Sequence, residues 1–516
     1  MQTHNERGIA LVLAMFLMSA LSVLGASLMF LSQTEAYASM NYRMMSQARY
    51  AGEAGIQKAS NFLLDPTQYA PPTALDLLNP AVCNRNVSPV TCNGAAVILS
   101  ATASQASNYP VAAVQTAYNA AGQGTLTAGN LTLTYGSYAT LVALQVFDSY
   151  GGGQGVTETW EITADGGLSG SPNATVEIRA LIETPKVPAS SYGAFGTDTT
   201  CGALSFGGSV SVDSYDSSKL TGATVPSAAN GVTAAGGDVG TNGNLDITGH
   251  ADVGGKLFTP RTGVGACTNG ANGAIDGLTE GGSATLTGGM VQLPAAIVYP
   301  SPVQPAPSGL AKVTGAGVTC AGLGLTAANC TQAGSTITLD GHGLTLSLPE
   351  IDLQSATHLV LTAGSPASQY NMNSLQLEGN STIAVAATSP TQGVIIDIVG
   401  KTAAGVVLAT PVDLTGGSQS AITGCATCSN YDASMLQMVY AGTGELKVGG
   451  NNDTVMTVYA PNALFTLSGN GSVYGSLLAK RVNDTGNASI HYDRRLQHDF
   501  YVVGHPMVGT FTWQRY

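Results

Sequence analysis

Residue types that do chemistry are sparse in this chain, and each small group of them lacks something its reaction would need. Cys425-Ala426-Thr427-Cys428 has the C-x-x-C spacing of a redox pair or of half a zinc site. Zinc would need a second pair or nearby histidines, and none lies close in sequence, so the pair reads as a structural loop staple. Gly400-Lys401-Thr402 resembles the end of a phosphate-binding loop, where backbone N–H groups and a lysine hold phosphate oxygens. That motif needs a glycine where Ile395 stands, and residues 394–399 read instead as a buried strand. His491, Asp493, His498 and Asp499 form the densest polar cluster. Without a nucleophile or a metal-ligand spacing they read as surface hydrogen-bonding groups. Asp213, Asp216, Asp238, Asp246 and Asp252 could supply oxygen ligands to calcium or line a glycan groove, but their spacing matches no calcium loop and they read as a solvated face. No catalytic, cofactor or metal site is expected, and the chain reads as a non-enzyme.

Composition narrows the class further. With 516 residues the chain exceeds a usual single core, so at least two folded regions are expected beyond any anchor. It carries 65 glycines, 9% charged residues and a formal net charge of −13, an exported, β-rich surface profile. The acidic balance argues against nucleic acid, and Arg494-Arg495 is an isolated basic pair. Eight cysteines in an exported chain imply disulfides, whose connectivity a sequence cannot dictate. Short loops favour Cys83–Cys92, Cys320–Cys330 and Cys425–Cys428, leaving Cys201 and Cys267 for each other.

These elements hang on an unusual start. Glu6-Arg7-Gly8 is followed by an apolar run from Ile9 to Leu31, and no charge intervenes between Arg7 and Glu35. That is the length of a bilayer-spanning helix, about 20 residues or more, and too long for a secretory signal core of about 7–15. Ala36-Tyr37-Ala38 keeps the signal-peptide alternative open, and an ordinary single-span anchor is the other alternative. Tyr37, Met40, Met44, Ala48, Ala51, Gly55, Ala59 and Phe62 then recur at three or four, one helical stripe. Pro66 is the expected stop, so a helix is predicted over 9–64, a rod of roughly 80 Å at about 1.5 Å per residue.

The leader, Ile9-Ala10-Leu11-Val12-Leu13 and the segment Gln47-Ala48-Arg49-Tyr50-Ala51-Gly52-Glu53-Ala54-Gly55 together resemble the amino-terminal region of PilX-type minor pilins of type IV pili, and more distantly the K-type pseudopilins. The resemblance covers about the first 65 residues. It implies a leader 1–8, cut by prepilin peptidase between Gly8 and Ile9, and a transmembrane segment 9–31. It also implies partners: prepilin peptidase, other minor pilins, the pilus assembly platform and the inner membrane. The precursor would sit in the inner membrane as a single-pass protein and then pass to the periplasm or cell surface in a pilus or tip complex. Major pilins of the family carry glutamate at the fifth mature position, pairing a neighbour's terminal ammonium; here that position is Leu13. An unpaired ammonium in an apolar core costs several kcal/mol, so a tip or priming position is expected rather than the shaft.

Residues 65–188 are expected to form a pilin-like α+β module. A helix is predicted near 109–121, with strands at 126–135, 138–147, 156–163 and 174–183 between glycine-rich turns such as Gly151-Gly152-Gly153. Pro71-Pro72, Pro80 and Pro89 mark its loop-like start, and Pro185 and Pro188 a linker. Over 189–490 short strands are closed by Gly341, Gly364, Gly379, Gly400 and Gly469, the texture of a parallel β-solenoid. Pro300, Pro302, Pro305 and Pro307 interrupt it. Val458-Tyr459-Ala460-Pro461-Asn462-Ala463, Leu467-Ser468-Gly469-Asn470, Val473-Tyr474-Gly475-Ser476 and His491-Tyr492-Asp493 resemble the β-helical passenger of PilX-type proteins, which implies a right-handed parallel β-helix. Asn470-Gly471-Ser472 and Asn487-Ala488-Ser489 read as turns. Residues 491–516 are expected to be a cap or tail, with Trp513 closing a solenoid end. The expected function is filament priming or tip assembly with a head for surface contact, taking a surface glycan or a host or substratum ligand. The alternative is a membrane-tethered β-helix enzyme acting on polysaccharide.

Overall fold

The computed structural model describes residues 6–65, 67–70, 77–128, 131–152, 154–168, 174–268, 275–419, 422–451, 453–504 and 507–515. Pro66, Pro71, Pro72 and Gly153 lie outside the described residues. Two compact units divide the chain: Met1–Gln145, Val156–Pro185 and Pro506–Tyr516 form the first, Val146–Gly155 and Lys186–His505 the second.

The first unit is built on α1 (Glu6–Leu64). Inside its apolar run the hydroxyls of Ser19, Ser22 and Ser27 donate to carbonyls one turn back, as Thr34 does just beyond it, so no hydroxyl between Ile9 and Leu31 needs an outside partner. Further along, Ala48, Ala51, Gly55, Ala59 and Phe62 are buried, as the stripe requires. Tyr37 and Met40 are not: they are 68% and 49% exposed, because burial on the helix begins only at Met44. The sheet against this face runs, in spatial order, Met507–Arg515, Thr175–Glu183, Gln154–Leu168, Leu131–Asp148 and Ile98–Ser100, with Gln123–Ala128 also paired to Leu131–Asp148. A second helix, α2 (Ala112–Ala121), buries Tyr118.

Two expectations change here. The strands predicted at 126–135 and 138–147 are cut differently: Gln123–Ala128 and Leu131–Asp148 pair as a hairpin from Ala128↔Leu131 to Gln123↔Gly136. Gly136 is therefore an interior strand residue rather than a turn. The carboxy-terminal segment is no solenoid cap, since Met507–Arg515 pairs antiparallel with Thr175–Glu183, placing Trp513 opposite Ile178. Its alternation of Phe511 and Trp513 with Thr510, Thr512 and Gln514 is that of a strand.

The second unit is β-rich, and most of its pairings are parallel. Ala194–Gly196 pairs with Val239–Thr241, which pairs with Leu257–Thr259, which pairs with Met290–Gln292. Equivalent ladders run from Leu204–Phe206 to Leu245–Ile247 to Leu278–Glu280, and from Ser211–Tyr215 to Asp252–Val253 to Thr285–Leu286. A second series climbs from Val313–Thr314 through Thr345–Leu353, Ser368–Leu377, Val394–Ile398, Leu436–Tyr440 and Thr454–Gly469 to Val473–Asp484. This last strand returns to pair with Ala194–Gly196 and Leu204–Phe206. The chain thus enters its own stack in the middle. Such a layered parallel arrangement is compatible with a solenoid, and its inward residues, including Leu204, Leu245, Val394, Phe465 and Val482, form one continuous apolar core.

Close stacking explains the glycine content at one corner. Gly469 has φ +89°, and a Cβ there would lie 2.2 Å from the Gly450 carbonyl oxygen; one at Gly486 would lie 2.3 Å from that of Gly469. Beside this column Asn487 Nδ2 donates to Asn470 Oδ1 at 3.2 Å and Asn470 Nδ2 to Asn451 Oδ1 at 3.3 Å, so the Asn-x-Ser tripeptides are corner residues.

The proline-rich stretch 293–312 is a strap across the strands. Asparagine side chains serve its backbone, Asn242 Oδ1 accepting from Ile297 N at 2.8 Å and Asn373 Oδ1 from Ser308 N at 2.8 Å, while the strap's own Gln304 Nε2 donates to Val399 O at 2.6 Å. Tyr459 Oη donates to Pro300 O at 2.8 Å. Proline brings no N–H to satisfy, so an extended proline segment can lie on a sheet face with few polar demands.

Candidate functional site

The sequence-derived site residues fall in separate places. Gly8 and Ile9 stand in the first turns of α1. The large apolar side chains from Ile9 to Leu31 are 57–76% exposed, Leu13 among them at 67%, and an 18-residue window of this helix reaches a mean hydropathy of 2.4. An apolar surface of that extent has no partner among the described residues, and by length and composition the helix can cross a membrane.

The cysteines are all paired: Cys83–Cys92, Cys201–Cys267, Cys320–Cys330 and Cys425–Cys428. Cys83 and Cys92 sit directly opposite each other on paired antiparallel strands, and Cys201–Cys267 ties the corner before Leu204–Phe206 to the one before Leu278–Glu280, two layers along that ladder. Gly400 has φ +69° and closes the strand Val394–Ile398, whose every residue is buried; Lys401 bridges to Val407.

The His/Asp cluster separates. His491 Nδ1 lies 2.5 Å from Asp213 Oδ1, with its ring stacked on Tyr474 at 4.5 Å. Asp493 is fully buried and accepts from the backbone N–H groups of Ser217 and Arg495, capping the short helix Arg494–His498. Burial pushes its pKa up to about 6. Asp499 pairs with Arg495 at 3.2 Å, and Arg495 also contacts the buried Asp432. The other aspartates serve local structure: Asp216 caps Ser217–Lys219, Asp238 accepts from Lys256 N, and Asp252 accepts from Thr285 Oγ1 at 2.6 Å. Asp246 stands apart from them, partly buried on its strand. Among the described residues no three His, Cys, Asp or Glu side chains converge as a metal ion would require.

Two acids that sequence reasoning passed over are buried as well. Glu158 is 6% exposed in the first unit, its Oε1 and Oε2 at 2.8 and 2.9 Å from Tyr69 Oη and its Oε2 accepting from Trp160 Nε1 at 3.1 Å. Burial raises its pKa to about 7, against the lowering effect of those hydrogen bonds. Asp397 is 6% exposed in the second unit and lines a cavity of about 790 Å³. A signal for it existed: it is the only polar residue in Val394-Ile395-Ile396-Asp397-Ile398-Val399.

Residues 7–57 match the family model described as PilX N-terminal. The amino terminus is that of a type IV minor pilin-like protein. Within the minor pilin-like segment, Gln47 to Gly55 is also where α1 begins to be buried. Residues 368–499 match a second model, a domain of unknown function (DUF7305), which covers the second ladder series of the second unit from Ser368–Leu377 onward. No curated protein matches the chain. Among solved structures, the competence-associated pilin ComZ from Thermus thermophilus is 12% identical with a TM-score of 0.24, covering 91% of this chain and 97% of its own. An ice binding protein from an Antarctic bacterium, Flavobacteriaceae, is 12% identical with a TM-score of 0.19, covering 59% of this chain and 97% of its own. Scores this low fix neither fold nor function.

Proposed function

We propose that the chain is a minor subunit of a type IV pilus or a related filament, matured by cleavage between Gly8 and Ile9 and carried at the tip or in a priming complex. The precursor is held in the inner membrane by residues 9–31, and the second unit is a non-enzymatic β-helical head for surface contact. One observation carries this reading: α1 is apolar and unburied over its first half yet buried along one face from Met44 onward, a change that falls within the stretch matching the PilX model. A helix so divided anchors in lipid or in a filament core while its other half holds a folded domain. Leu13 supports the tip, since no carboxylate at that position can pair a neighbour's terminal ammonium.

A polysaccharide hydrolase would need two facing carboxylates, and the described lining of the second unit's cavity holds one, Asp397. The deciding experiment is the mature amino terminus, read by terminal sequencing and intact mass of protein from the exporting cell. Ile9 is expected; recovery of Ser39 or Met1 would remove the pilin reading. Tagged-subunit imaging then tests position, with a few copies at one end expected. Copies along the whole shaft would refute the tip assignment.

A further inference from the structure

The cavity in the second unit has the makings of a ligand site. Its floor is the outer face of the parallel sheet, where Asn371 and Asp397 are register partners on adjacent strands. Asp397 Oδ1 and Asn371 Oδ1 are both buried without a hydrogen-bond partner, while Gln369 Nε2 reaches the other Asp397 oxygen at 3.5 Å. One wall is the strap, presenting Pro300, Pro302 and Pro305; Tyr150 and Tyr459 contribute rings. The two phenol hydroxyls are already engaged, with Thr457 Oγ1 and Pro300 O at 2.8 Å each, which fixes the rings in place.

A buried acceptor left unpaired is destabilising, and two on adjacent strands of this floor call for a donor. The chemistry excludes most ligand classes. An anion would meet a carboxylate, and no Lys, Arg or His lines the cavity among the described residues. Calcium takes 6–8 oxygens, usually with several carboxylates, and here there is one. An apolar molecule would leave both oxygens unpaired. A primary ammonium brings a charge for Asp397, further donors for Asn371, and a cation that tyrosine rings attract. At about 790 Å³ the space admits a six-membered ring with room for substituents on it.

We propose that this cavity binds a primary ammonium carried on a six-membered ring, its charge received by Asp397 and a second donor by Asn371, with the proline strap and Tyr459 packing the ring. Such an ammonium could come from an amino sugar or from an apolar cyclic amine. The test uses the full chain in detergent, titrated with glucosamine and with cyclohexylamine by calorimetry. N-acetylglucosamine, in which the charge is blocked, and glucose are the controls. Binding of at least one amine is expected, weakened at least about tenfold in Asp397→Asn and less in Asn371→Leu. Binding should also weaken below about pH 7, where burial keeps the Asp397 carboxyl protonated; Tyr150 and Tyr459, the other titratable groups lining the cavity among the described residues, are raised by burial and stay neutral. Preference for glucosamine assigns the sugar source, and preference for cyclohexylamine the apolar one. The proposal is overturned if neither amine binds, if the uncharged controls bind as well as the amines, or if Asp397→Asn, shown folded by an unchanged thermal transition, binds like the parent.

Discussion

At the scale of single residues, the acids decide how this protein responds to pH. Glu158 sits among Tyr69, Tyr109 and Trp160 with no cation beside it among the described residues, so burial keeps its proton on up to about pH 7. Its folded pKa lies above the unfolded value near 4.5, and between these two pH values the folded state holds a proton that the unfolded state has lost. Stability from this group is therefore full below about pH 4.5 and declines as pH rises toward 7. The total is up to roughly 3 kcal/mol, from about 1.4 kcal/mol per pKa unit. Glu158→Gln keeps an acceptor for Tyr69 and Trp160 but cannot ionise. It should flatten this slope and leave the variant the more stable protein at pH 7.5, as measured by denaturant unfolding across pH 4 to 8. A variant that tracks the parent across that range would show Glu158 to be ionised in the fold at no cost. Asp397 stands out in the sequence only as the one polar residue of a run that reads as buried, whereas Glu158 is hard to single out, because an isolated acid in an alternating strand looks like a solvent-facing position. Only register and layering bury it.

At the scale of elements, glycines set the distance between helix and sheet. A Cβ on Gly166 would lie 2.0 Å from the carbonyl oxygen of Ala48 and 2.3 Å from the backbone nitrogen of Gly52. The backbone there cannot yield without moving α1. A Cβ on Gly52 would meet the end of the Ile178 side chain at 2.9 Å, which can rotate away. Gly166→Ala should therefore destabilise the first unit by at least about 1–3 kcal/mol and Gly52→Ala by less. Denaturation followed by Trp160 fluorescence would rank them, and the reverse order would show that side chains rather than backbones limit the approach. The α1 stripe was readable because small residues at helical spacing have one common explanation, a packed face. Asp165-Gly166-Gly167 invites the opposite reading, a turn, since glycine marks turns and close approaches alike. The same ambiguity misplaced the hairpin at Gly136, and treating the last residues as a tail hid the strand Met507–Arg515, whose partner lies more than 300 residues earlier.

At the scale of the whole molecule, the order of layers in the second unit departs from the order of the chain. Repeating short strands closed by glycine made the layered parallel texture legible in sequence, but local patterns carry no information about which layer stacks on which. Ala194–Gly196 is flanked by Val239–Thr241 on one side and Leu477–Ala479 on the other, and Leu204–Phe206 likewise by Leu245–Ile247 and Val482–Asp484. A stack that grew from its first layer outward could fold progressively, each layer templating the next. Here the first layer stays open along one edge until residues 473–493 arrive, and an open parallel edge is a poor stopping point. The two ladder series should therefore open together rather than as separate arrays. Val482 is fully buried between Leu204 and Phe465, so Val482→Asp places a charge at the join. Native-state hydrogen exchange of that variant should show lost protection at Leu204–Phe206 and Leu446–Gly450, and at Leu245–Ile247 one layer further away. If Leu245–Ile247 keeps its protection while 473–493 exchanges freely, the amino-terminal layers fold on their own and the join is only a contact between two finished arrays.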